Sequence, residues 1–252
     1  MVLAAMMRKF IADLHIHTVL SPCAADEMTP ANIIGIAVLG GIDIIAITDH
    51  NACENVGAVI EAAKHTKITV IPGMEVETKE EIHVVVLFDT LEQLHDWEIF
   101  IQPYRSDLLN DERKFGSQTI VNANGEVIGC KPDMLLNPLA CPLCDVVAGV
   151  KKLGGICIAS HIDRPAYSVV SQLGFIPEEI EFDAVEVSRR VNCSEALQLI
   201  PSIKGITVIT ASDAHTLADL ITGPRTEFEL KAPSVSEIRK ALHQEGLRKV
   251  VL

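Results

Sequence analysis

The sequence predicts an α/β fold built as a mainly parallel sheet or barrel. Three observations predict it: the chain's length, seven apolar β-branched runs, and amphipathic stretches between most of them. At 252 residues the chain fits one barrel-sized domain better than two small ones. The runs cover residues 10–17, 42–48, 68–71, 82–88, 156–159, 184–187 and 206–210. They are continuously apolar rather than alternating, which is the mark of strands covered on both faces.

Helix signals fall between them. Thr29-Pro30 opens one helix, since threonine can cap and proline's fixed φ suits the first helical position; Gly40-Gly41 ends it. Ser234 and Glu237 make a capping-box pattern ahead of Ile238, Ala241 and Leu242. The rhythm breaks in the middle, where no βα unit is expected from about residue 93 to 144. Instead, residues 118–123 and 126–129 flank Asn124-Gly125, a strong hairpin signal. The expected organisation is a single domain over residues 1–252, with the segment at about 93–144 inserted over the barrel.

Composition narrows the function classes. The chain is 48% hydrophobic but only 4% aromatic, so its core must rest on Ile, Val, Leu and Ala. A formal net charge of −13 argues against a protein that coats nucleic acid along an extended track, which needs a basic face. It leaves room for a nucleotide or oligonucleotide end held by a few arginines and metal ions. In the stretch Met1 to Met7 the charges Arg8 and Lys9 follow the apolar residues, the reverse of a secretory signal. No uncharged segment reaches the roughly 18 to 20 residues that span a bilayer. Seven cysteines without framework spacing read as reduced thiols, so a cytoplasmic location is expected.

Six of the nine histidines lie beside the proposed strands: His15, His17, His50, His83, His161 and His215. Four strands end in, or lead closely into, histidine with or without a carboxylate: Asp13-Leu14-His15-Ile16-His17, Thr48-Asp49-His50, Ser160-His161 and Ser212-Asp213-Ala214-His215. A fifth leads into Gly73-Met74-Glu75. In parallel α/β folds the carboxyl ends of strands share one face, where sites are built. His15 and His17, two apart on a strand, point the same way, which suits two imidazoles on one cation. A lone histidine is more often a hydrogen-bonded core residue. Six of them with carboxylates at corresponding strand ends would bury many polar groups together without reason unless they hold metal.

The ordered set resembles the PHP (polymerase and histidinol phosphatase) family. It is carried by His15-Ile16-His17-Thr18, Thr48-Asp49-His50-Asn51, Gly73-Met74-Glu75, His83, Ser160-His161 and Ser212-Asp213-Ala214-His215. The resemblance implies a distorted (β/α)7 barrel and three divalent metal ions, Zn, Mn or Fe. It implies a first metal on His15, His17, Glu75 and Asp213, and a second bridged by Glu75 and completed by His83 and His161. The third would take His50, His215 and a carboxylate from the loop after the first strand. There the chain departs from the family's Ser-Asp-Gly and reads Ser21-Pro22-Cys23-Ala24-Ala25-Asp26-Glu27. Asp26 is the choice, with Glu27 and Cys23 as competitors; the alternative for Asp26-Glu27 is a solvated helix entry near the positive end of the dipole. Glu75, Asp213 and His215 are the catalytic residues implied.

Such a cluster suits phosphate ester hydrolysis by metal-activated water. The substrate expected is a phosphorylated small molecule or nucleotide. Arg164, three residues after His161, is the first candidate for gripping its phosphate, followed by Arg189 and Arg190, the last equally suited to a surface salt bridge. Asp49 is expected to orient a histidine or a loop rather than bind metal. Cys141 and Cys144 lack a second pair for a structural zinc and read as ordinary cysteines at the start of a helix; His65, His95 and His243 read as surface residues. The rival readings are a catalytically silent metal-binding regulatory module, a histidinol-phosphate-type phosphatase and an amidohydrolase. The last would want a bridging lysine at a strand's carboxyl end, and none is found there.

Overall fold

Runs apolar on both faces become strands that separate an inner from an outer apolar layer. A computed structural model describes residues 6–251; residues 1–5 of the leading stretch weighed above lie outside them. The first half of the chain runs β1 (Arg8–Ile16), α1 (Pro30–Leu39), β2 (Ile44–Ile47), α2 (Val56–Ala63), β3 (Thr69–Glu77), β4 (His83–Leu87), α3 (Leu91–Ile101), α4 (Glu112–Phe115), β5 (Thr119–Val121) and β6 (Val127–Cys130). There follow α5 (Leu143–Lys152), β7 (Ile156–Ala159), α6 (Val169–Leu173), β8 (Ala184–Val187), α7 (Cys193–Leu199), β9 (Val208–Thr210), α8 (Leu217–Thr222), β10 (Thr226–Leu230), α9 (Val235–Leu242) and β11 (Lys249–Val251).

Nine strands form one sheet in the order β11-β10-β1-β2-β3-β4-β7-β8-β9. The sheet curls until the segment past β9 meets β1. Ala214 bridges Ile16, the His17 N–H donates to the Ala214 carbonyl at 3.0 Å, and the Ala214 N–H to the His15 carbonyl at 3.3 Å. Each expected run has become a strand, and together they make the distorted seven-stranded barrel.

Three features differ from expectation. First, β4 is antiparallel to both β3 and β7, so the sheet is less parallel than the apolar runs implied. A short turn joins β3 to β4, with the Thr78 N–H donating to the Ile82 carbonyl at 2.9 Å, and a turn that short can only reverse the chain. Second, β10 and β11 extend the sheet antiparallel beyond β1. Their signal is alternation (Thr226-Glu227-Phe228-Glu229-Leu230), as expected of a strand with one wetter face. Third, a helix occupies Leu91–Ile101 where no βα unit was expected. Thr90 and Gln93 close a reciprocal capping box at its start.

Residue parity along β1 changes partway. Ala12 pairs Ile44 and Asp13 pairs Ile45, but Ile16 pairs Ile47, so β1 carries one extra residue, a β-bulge. Before it, Phe10, Ala12 and Leu14 join the inner apolar cluster; after it, Ile16 joins the outer one. Both His15 and His17 can therefore face inward, above a floor of Leu14, Ala46, Ile71, Val85, Ile158, Ala184 and Ile209. The Asn124-Gly125 hairpin forms as β5–β6, with a tip over residues 122–126 and Gly125 at φ +84°. It is tied to the barrel where Val121 N–H donates to Asn55 Oδ1 (2.9 Å) and Thr119 N–H to the Val19 carbonyl (3.0 Å).

Gly73 lies where β3 passes between two neighbours. A Cβ there would sit 2.7 Å from Leu87 Cδ2 and 2.9 Å from the Val86 carbonyl oxygen. Gly73→Ala should destabilise the fold by about 1–3 kcal/mol, read from urea unfolding; an unchanged midpoint would contradict this contact. Near the chain's end Glu237 accepts hydrogen bonds from Arg248 (both 2.9 Å), and these lower its carboxyl from 4.5 to about 2. The charged form is thus favoured in the folded state, and the stabilisation is complete above the ordinary value. It is lost as pH falls through the window from 4.5 to about 2. Glu237→Gln should flatten the stability-against-pH curve in that window, measured by thermal unfolding at a series of pH values.

Candidate metal centre

The strand ends at one mouth supply the ionisable side chains. The bulged β1 brings His15 and His17, the segment after β2 brings Asp49 and His50, and β3 brings Glu75 and Glu77 on its inner face. His83 is the first residue of β4 and pairs with Glu77, so the reversed strand offers its amino end to this mouth. His161 and Asp213 follow β7 and β9 in left-handed backbone, at φ +31° and +49°. Non-glycine residues hold that conformation only where surrounding structure demands it.

Glu75, 1% exposed, lies at the centre. Its Oε1 is 3.0 Å from His83 Nδ1, 3.2 Å from His15 Nε2 and 3.3 Å from His161 Nε2. Its Oε2 is 3.1 Å from His50 Nδ1 and 3.3 Å from His17 Nε2. Asp213 Oδ1 stands 3.3 Å from Nε2 of both His15 and His17. Among the described residues three sets have ligand atoms within 4.8 Å of one another: His15, His17, Glu75 and Asp213; His50, Glu75 and His83; and His17, His50 and His215. Four of the buried atoms make no hydrogen bond despite this crowding: Nε2 of His15 and of His17, Glu75 Oε2 and His161 Nδ1. Nε2 of His15 and of His17 and Glu75 Oε2 belong to one converging set, and such unsatisfied buried imidazole and carboxylate atoms fit divalent ions.

The surrounding hydrogen bonds fix the tautomers. Glu186 accepts from His15 Nδ1 at 3.0 Å, leaving Nε2 for the cluster. The Ser21 hydroxyl donates to Asp49 Oδ1 at 2.7 Å, so it must accept from His17 Nδ1 at 3.0 Å. Asp49 also accepts from the Thr18 N–H and hydroxyl, orienting histidine and loop together. Electrostatics matches. Burial opposes charge on His15 and His17, but the neighbouring carboxylates outweigh it, raising His15 well above its usual value and His17 to about 9. Burial and the charge on His17 hold His50 at about 3 and His215 at about 4. Burial also works against ionised Glu75 and Asp213, yet the surrounding histidines, His15 foremost, drive both well below the carboxylate range. Burial pushes Asp13 up to about 6 and Glu77 to about 7.

The expected ligands His15, His17, His50, Glu75, His83, His161, Asp213 and His215 thus come together. Asp26 and Glu27 do not: both are exposed, and neither is in a converging set, where His17 joins His50 and His215 instead. Cys23 lines the cavity. Arg164 touches the cluster, 2.6 Å from Asp213 Oδ2, while Arg189 pairs with Asp219 at 2.9 Å beside it. Cys141 is buried and Cys144 exposed, flanking the start of α5; His65, His95 and His243 are exposed. Glu186, Ser21, Glu77 and Tyr167 escaped the sequence reading. Two had a signal: Glu186 interrupts the apolar strand Ala184-Val185-Glu186-Val187, and Glu77 stands two residues from Glu75 on the same face. Tyr167 stacks on His83, with ring centroids 4.7 Å apart.

Glu186→Gln should weaken Zn or Mn binding roughly ten- to hundredfold without unfolding the protein, because Glu186 orients His15. Isothermal titration checks this, and unchanged affinity would remove that role.

Residues 13–119 match the family model of the PHP domain. No curated protein matches the sequence. Among solved structures, the lesion-specific endonuclease Q from Pyrococcus furiosus is 22% identical with a TM-score of 0.72, the match covering 97% of this chain and 58% of that one. An endonuclease Q complex with a 27-mer duplex carrying an abasic lesion at the active site gives 19% identity, TM-score 0.76, and coverage of 96% and 58%. This chain therefore spans 58% of the length of either endonuclease Q chain. A two-domain protein from Bacteroides vulgatus, containing a predicted PHP-like metal-dependent phosphoesterase, gives 18%, 0.59, and coverage of 98% and 65%. Residues 13–119 are thus similar to the PHP domain, and over nearly its whole length the chain shares its fold with these structures.

Proposed function

We propose that this protein is a phosphoesterase that uses metal-activated water to hydrolyse a phosphate ester of a nucleotide, an oligonucleotide end or a small metabolite. The observation that carries this reading is Glu75, whose two oxygens divide five imidazoles into neighbouring ligand sets. We assign His15, His17, Glu75 and Asp213 to a first ion, Glu75, His83 and His161 to a second, and His50 and His215 to a third. All donors are imidazole or carboxylate, which suits Zn, Mn or Fe. Bound there, such ions would polarise phosphoryl oxygens and acidify a water.

The chain's own groups have separate tasks. Glu186 and the Ser21–Asp49 pair keep the Nε2 lone pairs of His15 and His17 aimed at the cluster. Asp213 turns one oxygen to these histidines and the other to Arg164, so the cation is held beside the reacting centre. Arg164 and Arg189 then meet the substrate's phosphate oxygens. The duplex bound by endonuclease Q supports a nucleotide or oligonucleotide substrate over histidinol phosphate. A charge of −13 speaks against an extended strand track. Among the described residues no helix is long and apolar enough to cross a membrane. The free cysteines suit a reducing compartment such as the cytoplasm.

His17→Ala and Asp213→Ala should each lower metal content, by elemental analysis, and abolish turnover of a generic phosphomonoester, with circular dichroism unchanged. Full activity in either variant would refute the assignment. Metal bound without phosphate release under Zn, Mn or Fe would favour a silent binding module.

A further inference from the structure

Among the residues that line the metal cavity, Leu136 and Tyr167 stand apart chemically. The cavity, of about 270 Å³, is otherwise lined mainly by the histidines, carboxylates and arginine of the cluster. Leu136 comes from the segment inserted between β4 and β7, and Tyr167 from the loop after β7. An aliphatic and an aromatic side chain add no charge to a site that is otherwise ionic, so they meet a different part of the ligand.

Both are fixed by hydrogen bonds close to the cluster. Asn51, next in sequence to His50, donates from Nδ2 to the Leu135 carbonyl at 3.0 Å and to the Asn137 carbonyl at 3.2 Å. The Leu135 N–H donates to Gln118 Oε1 at 2.9 Å, so the insertion also holds this segment from within. Tyr167 has φ +59°, a conformation that a bulky residue keeps only under constraint. Its carbonyl accepts from the His83 N–H at 2.9 Å, and the Ser168 hydroxyl donates to the Arg164 carbonyl at 2.8 Å. The phenol ring stacks on His83, with centroids 4.7 Å apart and planes 26° from parallel. Tyr167 is nonetheless 46% exposed, which leaves ring surface open to a ligand in the cavity. Core packing does not account for a ring strained into place and left nearly half open.

We infer that Leu136 and Tyr167 form a seat for the nucleobase of a nucleotide substrate whose phosphate lies at the metal cluster. Every base has a flat π-face on which an aromatic ring can stack, and Leu136 adds apolar contact. A sugar phosphate without a base gains little there, because its hydroxyls would lose water against apolar atoms. The inference rests on the phosphoesterase reading and narrows its substrate class from phosphate esters in general to nucleotides. It also gives the insertion a task, since Leu136 is a specificity-determining residue that the barrel alone does not supply.

Isothermal titration of the Mn-loaded protein compares thymidine 5′-monophosphate with 2-deoxyribose 5-phosphate, the same sugar phosphate without its base. The nucleotide should bind about tenfold or more tighter, which is what stacking one base contributes. Tyr167→Ala should remove most of that ratio and Leu136→Ala should reduce it, whereas Tyr167→Phe should keep it because the π-face remains. Both ligands are measured on each variant, so partial unfolding changes the fraction that binds but not the ratio. Equal affinity for the two ligands, or a ratio undiminished in Tyr167→Ala, overturns the inference. Phosphate release is followed in the same samples. An intact ratio without release fails the phosphoesterase reading and leaves the base seat standing; release from both ligands at equal affinity does the reverse.

Discussion

Glu75 is surrounded by five imidazoles within 3.3 Å and is almost wholly removed from water, and the architecture of the mouth follows from that crowding. A carboxylate so placed must be compensated, because burying an isolated charge costs far more than any single contact returns. Protonated His15 and His17 can supply part of the compensation, as their raised pKa values show. Divalent ions meet the demand more completely. Bound there, they would use the Nε2 lone pairs of His15 and His17 that hydrogen bonds leave unclaimed. Ion and proton therefore compete for the same nitrogens, which couples metal affinity to pH.

Three departures from regular structure deliver those groups. The bulge in β1 turns His15 inward without giving up the apolar floor beneath it. The reversal at β4 puts the amino end of a strand at a mouth otherwise made of carboxyl ends, and so adds His83. Left-handed backbone at His161 and Asp213 re-aims their side chains just where the strands end. The left-handed segments are held by neighbours: Glu186 accepts from the His161 N–H at 3.3 Å, and Asp13 from the Ser212 N–H, next to Asp213, at 3.0 Å. Strain and ligands coincide, as expected where a scaffold fixes a geometry that the chain would not adopt alone.

The acidic surface and the arginine cleft answer different needs. Excess negative charge keeps the molecule dispersed and discourages polyanions from binding at random. Arg164, Arg189 and Arg190 line one cleft beside the cluster, with Asp213 and Asp219 among them.

By itself the sequence determined the strand runs, the hairpin at Asn124-Gly125 and the ligand types, because apolar continuity, turn chemistry and motif order are properties of short stretches. Eight of the nine residues expected to hold metal, from His15 to His215, meet at one mouth, since each stands at or beside a strand. Only the tertiary structure decided the rest. Glu186 reaches His15 across 171 residues, and Asp13 reaches Ser212 across 199, distances along the chain at which spacing carries no information. The direction of β4, the inward turn after the bulge and the exposure of Asp26 depend on which strands become neighbours. Pairing is a long-range choice made by packing, so local pattern could name the groups but not aim them.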